Sequence, residues 1–227
     1  NAPMRLLKQT GYCVVEMNQG MKAILDVGEV GPDYQPGHAH ADTLSFELSL
    51  DMQRVIVNSG ISQYGQDALR HDQRSTKAHN TVCIDGMNSS DIWAGFRVGR
   101  RARPLDLVVQ EKPDEIKIAC SHDGYIKSSG RNIHRRSWCF SSNSMLIQDE
   151  LSGEFLSAEA CFYLHPSVSI VSVDATRVVL CLPSKKEVIF YLDREAKLRV
   201  NPISWYPGFV QAAQNHCLVI TFKDNVL

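Results

Sequence analysis

Hydrophobic and polar residues alternate along this chain with a period of two. Leu44-Ser45-Phe46-Glu47-Leu48-Ser49-Leu50 alternates strictly, the mark of a strand buried on one face and wetted on the other. Asp51 to Gln53 reads as a short turn, and Arg54-Val55-Ile56-Val57 returns as the second strand of a hairpin. Tyr12–Met17 and Met21–Val27 form another such pair, joined through Asn18-Gln19-Gly20. Further strand-like runs are Thr81–Ile84, Leu107–Glu111, Ile116–Cys120, Ile133–Phe140, Met145–Gln148, Ala160–Leu164, Val178–Leu182, Val188–Leu192 and Cys217–Phe222. Many short strands at spacings of about 8 to 15 residues predict an all-β, two-layer antiparallel sandwich. Helical periodicity is almost absent: Gln66–Gln73 has room for two turns, inside a long stretch, Asn58–Ala78, that does not read as strand. Stretches of that length are usually functional or carry structure of their own.

With 227 residues, 25.4 kDa and neither repeat nor linker, residues 1–227 read as a single domain with a sizeable core. Lys+Arg is 24 against Asp+Glu 25, a formal net charge of -1, which argues against a dedicated nucleic-acid binder. The 44% hydrophobic and 22% charged residues exclude a disordered chain. No run of 18 apolar residues predicts a membrane-spanning helix. The opening Asn1-Ala2-Pro3 has no basic stretch and apolar segment behind it and reads as a processed or excised terminus. Seven scattered cysteines without a CxxC pair read as buried free thiols, leaning weakly towards a reducing compartment.

The candidate chemistry gathers before the clearest strand, at Gly37-His38-Ala39-His40-Ala41-Asp42. An extended backbone there would project residues 38, 40 and 42 to one face, joining two imidazoles, common metal ligands, to a carboxylate. Arg70 and Arg74, in the long stretch after Asn58, could hold a carboxylate by bidentate bonds. Arg97, Arg100, Arg101 and Arg103 could do the same for sulfate, although their spacing alternates faces. His134, beside Arg135 and Arg136, stays open.

Three blocks make the sequence specific: Gly37-His38-Ala39-His40-Ala41-Asp42-Thr43-Leu44-Ser45-Phe46, Val55-Ile56-Val57-Asn58-Ser59-Gly60, and Ala78-His79-Asn80-Thr81-Val82. With Phe96-Arg97-Val98-Gly99-Arg100, His134-Arg135-Arg136 and Leu164-His165-Pro166, they resemble the heparinase II/III-like domain. The resemblance implies the C-terminal β-sandwich of a polysaccharide lyase acting on chains such as heparan sulfate or alginate. It implies an N-terminal helical toroid, absent from this chain, as partner; an acidic polysaccharide substrate; and a periplasmic location. It implies a zinc site at His40, Asn58 and His79, where Asn58 stands in place of the commoner Asp and leaves room for water or Asp42 to contribute. It implies His38 and Tyr64 as catalytic residues for β-elimination; of the two loop arginines, Arg74 is the candidate for the substrate carboxylate by its place in the long loop. Two other readings stand beside it: a non-catalytic carbohydrate-binding sandwich, and a cupin-like metal enzyme using the HxH pair with Glu47.

Overall fold

The computed structural model describes residues 3–18, 20–193 and 196–222, about half of which lie in antiparallel strands. The first half holds β1 Met4–Leu7, β2 Tyr12–Glu16, β3 Met21–Asp26, β4 Phe46–Leu50, β5 Gln53–Ile56, α1 Ala68–Arg74, β6 Val82–Ile84, β7 Ile92–Trp93, β8 Arg97–Val98 and β9 Pro104–Lys112. The second half holds β10 Glu115–Tyr125, β11 Asn132–Phe140, β12 Met145–Leu151, β13 Ala158–Tyr163, β14 Ser169–Val173, β15 Arg177–Cys181, β16 Glu187–Tyr191, β17 Lys197–Trp205 and β18 Ala213–Thr221. Sheet orders are β1-β2-β3-β4-β5, β12-β11-β10-β9, β17-β18-β13-β6 and β14-β15-β16, with β7 and β8 a separate two-residue pair.

The period-two pattern does what it predicts. Along β3, Met21, Ala23 and Leu25 are buried while Lys22 and Ile24 face out. One core takes inward residues from all four larger sheets, among them Leu25, Phe46, Trp138, Phe162, Leu180 and Ile220. The protein is therefore a β-sandwich with little helix. β17 carries no clean alternation because Pro202 interrupts its pattern and about half of it is solvated; β14 carries none because nearly all of it is exposed. All seven cysteines are free thiols, five of them buried.

A seam between the first and third sheets positions the candidate site. β13 pairs with β6 over Ala158–Ala160, and just beyond its end Leu164 bridges to Ile56 at the end of β5. Asn80 fills the gap between, accepting from Tyr163 N–H at 2.7 Å and donating through Nδ2 to Phe46 O at 2.8 Å. The seam thus brings the segment after β5 against the segment before β6.

Beneath it lies a fully buried polar chain. Gly124 N–H donates to His122 Nδ1 at 2.9 Å, so the His122 proton sits on Nε2 and is donated to His134 Nδ1 at 3.1 Å. His134 Nε2 in turn donates to Asp149 Oδ1 at 2.7 Å. Arg136 grips the same carboxylate through Nε at 2.7 Å and Nη2 at 2.8 Å. Its Nη1 donates to Leu44 O at 3.0 Å and to Asn80 O. Burial holds both histidines below their ordinary pKa. Burial works to raise the Asp149 carboxyl, but Arg136 and His134 override it and hold the group below the usual carboxylate range.

A pH dependence follows. His122 titrates near 6.5 when unfolded and well below that when folded. Between those values the unfolded chain binds the extra proton, so the stability this imidazole contributes is lost as pH falls. His122→Gln removes that one proton while leaving an amide to bond in its place. In urea unfolding, the stability gap between native chain and variant should narrow by about 2 kcal/mol between pH 6.5 and pH 5. A gap independent of pH would mean that His122 is not held neutral.

Candidate active site and metal centre

The HxH segment is stitched down residue by residue. Arg74 donates to Ala39 O from Nε at 3.2 Å and from Nη2 at 3.1 Å. Ala41 N–H donates to Arg74 O at 3.0 Å, Thr76 Oγ1 to Ala41 O at 2.8 Å, and Thr81 Oγ1 to Thr43 O at 2.9 Å. The backbone of residues 39, 41 and 43 is thereby held, and His40 and Asp42 both reach the side of His79. Residue 38 departs from the expected extended run. Pro36-Gly37-His38 form a 3₁₀ turn, and the chain becomes extended only at Ala39. The two motif histidines consequently serve different places.

His40 Nδ1 lies 3.2 Å from His79 Nε2. Ligand atoms of His40, Asp42 and His79 all lie within 4.8 Å of one another. Burial, then the neighbouring His79, pushes His40 down to about 3 against the pull of Asp42, and burial alone pushes His79 down to about 3. Both rings therefore stay neutral, the state in which imidazole ligates metals. Two nitrogens bound at 2.0–2.1 Å to a tetrahedral zinc ion stand about 3.3 Å apart; the observed separation fits. Asn58 sits on the other side: its Oδ1 is 3.3 Å from His79 Nδ1 and also 3.4 Å from Asn80 N. Its place is behind His79, where a hydrogen bond fixes which ring nitrogen is free. The carboxylate facing the two imidazoles comes from Asp42.

His38 stands on an exposed aromatic platform. Its ring meets Tyr64 edge-on at 5.3 Å and Phe96 at 5.5 Å between centroids. Tyr64 also packs on Phe96 at 5.4 Å and on Phe209 at 4.8 Å. Tyr64, Phe96 and Phe209 are 41%, 44% and 51% exposed. Phe96 arrives on the turn between β7 and β8. Phe209 arrives on a loop seated where Tyr206 N–H donates to Ser59 O at 2.8 Å. Gly60 permits that seat: its φ is +78°, and a Cβ there would lie 1.9 Å from Tyr206 O.

Arg70 lies beneath the platform, fully buried, its guanidinium 5.2 Å from the Tyr64 ring and 6.0 Å from the Phe96 ring. Nε donates to Gly95 O at 3.3 Å, but Nη1 and Nη2 have no partner. Arg74 is the opposite case and corrects the expectation that it binds substrate. It is fully buried and spends itself on backbone carbonyls: Ala39, Ala94 at 3.1 Å and Arg97 at 3.2 Å. It fastens the HxH segment to the β7–β8 hairpin. Glu47, the acid a cupin-like centre would need, instead pairs with Arg54 at 2.8 Å and accepts from Asn58 N–H. A two-residue strand pair gives almost no sequence signal, so the tasks of Arg74 and Phe96 were not readable beforehand.

The β-sandwich thus carries an exposed His–Tyr platform beside a half-buried His-His-Asp cluster. The Heparinase II/III-like, C-terminal family matches residues 1–225, and the chain belongs to that family. No curated protein matches the sequence. Among solved structures, the chain is similar to the heparan sulfate lyase HepC from Pedobacter heparinus, at 17% identity and a TM-score of 0.79, covering 100% of this chain and 35% of that one. It is also similar to heparinase III, at 18% identity and a TM-score of 0.74, covering 99% of this chain and 35% of that one. The chain thus spans about a third of the length of those lyases. No helix among the described residues is long and apolar enough to cross a membrane.

Proposed function

We propose that this chain is the β-sandwich part of a polysaccharide lyase that cleaves uronic-acid-containing chains by β-elimination, working with a helical domain that forms the other wall of the cleft. The observation that carries this reading is the edge-on meeting of His38 and Tyr64 on an exposed platform above the unpartnered Arg70 guanidinium. In β-elimination the C5–H bond of the uronate breaks and its proton passes to a base. The electron pair becomes the C4=C5 double bond, the C4–O bond breaks, and the departing oxygen takes a proton from an acid. Imidazole and phenol are suited to these two transfers. Charge building on the uronate carboxylate needs a nearby cation; Arg70, enclosed beneath Tyr64 with two unpartnered N–H groups, would supply positive charge from under the platform rather than by direct contact. A polymeric substrate fits a protein working outside the cytoplasm, such as in the periplasm.

His40, Asp42 and His79 would hold one divalent ion, most readily zinc, with Asn58 orienting His79. Such an ion would lock the HxH segment so that His38 keeps its place on the platform. Protein purified without chelator should carry about one equivalent of metal by elemental analysis, and His79→Ala should carry none. Asn58→Ala should still bind, about 10- to 100-fold more weakly, as expected when an orienting group rather than a ligand is removed. A native chain that takes up no zinc on titration would remove the metal assignment.

The function is tested by joining the chain to its helical domain and following the ultraviolet absorbance of unsaturated uronate products across a panel of uronate polymers. Appearance of that absorbance is the expected result. Saturable binding without cleavage of any polymer would make the chain a carbohydrate-binding module instead.

A further inference from the structure

A pocket of about 360 Å³ opens at the base of the β7–β8 hairpin, lined by Asn88, Ser90, Asp91, Arg100 and Lys127 over a floor that includes Tyr125. It shares no residue with the His38–Tyr64 platform or with the His40–His79 cluster. Its donors are unused. Nε and Nη1 of Arg100 are buried without a partner, and Nη2 makes only long contacts, 3.4 Å to Ser89 O and 3.5 Å to Asp91 Oδ1. Lys127 is exposed and forms no ion pair among the described residues. Asn88 Oδ1 accepts from Thr76 N–H and Ser90 Oγ from Ala102 N–H, both at 2.9 Å. Those bonds leave the Asn88 amide and the Ser90 hydroxyl as donors. Asp91 is the one carboxylate in the lining, so two cations face a single anion.

Buried N–H groups of a charged side chain are costly to leave without an acceptor. An oxyanion satisfies both their charge and their geometry. The volume matches small-molecule sites and is more than a bare inorganic ion needs. We infer that this pocket binds an anionic sugar unit, with its sulfate or carboxylate group seated between Arg100 and Lys127. The β7–β8 hairpin gives the site its place: Phe96 at the turn reaches the platform, and Arg100 lies four residues on, about 13 Å of extended chain. The choice of a sugar rests on the lyase reading, but its test does not depend on catalysis, because binding is measured without turnover.

Titration calorimetry on the 227-residue chain, with glucosamine 6-sulfate, glucuronate, glucose and inorganic sulfate as probes, tests it. At least one charged sugar should bind saturably with Kd of about 1 mM or tighter, and glucose should not. Arg100→Gln and Lys127→Gln should each weaken that binding about fivefold or more. Because Lys127 is exposed, its variant folds even if Arg100→Gln does not. Absence of saturable binding by either charged sugar, or unchanged binding in Lys127→Gln, would overturn the proposal. Inorganic sulfate binding as tightly as the sugars would overturn the sugar assignment in favour of a free-anion site.

Discussion

Replacing Arg136 by methionine is expected to lower the unfolding free energy by about 3–5 kcal/mol, the range for removing one partner of a buried ion pair. Three losses coincide. Asp149 keeps its charge, fully enclosed, without the two guanidinium bonds that neutralise it. The carbonyls of Leu44 and Asn80 lose their donor. The guanidinium also lies within about 6 Å of the Phe46, Trp138 and Phe162 rings, so stacking is lost from residues of three sheets at once. In thermal melts the shift should be on the order of 10 °C for a chain of this size. Arg136→Lys, which keeps the charge but not the fork, should fall between native and methionine. A methionine variant within 1 kcal/mol of native in urea unfolding would show that the pair contributes little.

His38→Ala, measured in the chain joined to its helical domain, should lose at least about 100-fold in kcat, the scale for removing a general acid or base. Tyr64→Phe should fall comparably while keeping its ring contacts with His38, Phe96 and Phe209. Neither change should lower the melting temperature by more than a degree or two, since His38 is exposed and makes no described hydrogen bond. His40→Ala should differ in kind, losing metal and stability together with rate. Full activity in His38→Ala would move the chemistry off the platform.

The strands and the histidine blocks were legible because each is local. Alternation fixes a strand within a few residues, and His40 and His79 each sit in a short, distinctive string. What was not legible depends on which distant segments meet. Arg70 and Arg74 lie one turn apart on the same face of α1 and look alike in sequence. Only the β7–β8 hairpin, which surrounds Arg74 with carbonyls and offers Arg70 one, makes them opposites. The departure of His38 from the line of His40 and Asp42 traces to Pro36, which starts a 3₁₀ turn, so that the one-face arrangement of an extended backbone holds only from Ala39 onward. His134 was an open case because its partners, His122 and Asp149, come from the two neighbouring strands.

The clamp of Arg74 on the hairpin also bears on how such a chain can change over evolutionary time. Surface turns ordinarily absorb insertions. The β4–β5 turn, where Met52 is 97% exposed, is such a place. The turn between β7 and β8 is outwardly similar, yet the carbonyls of Ala94 and Arg97 are both tied to Arg74 and Phe96 between them touches the platform. A single inserted residue there would break the register of the clamp and disturb the segment that carries both motif histidines. Length variation should therefore accumulate in the first turn and be purged from the second, leaving a short exposed hairpin as fixed in length as the interior.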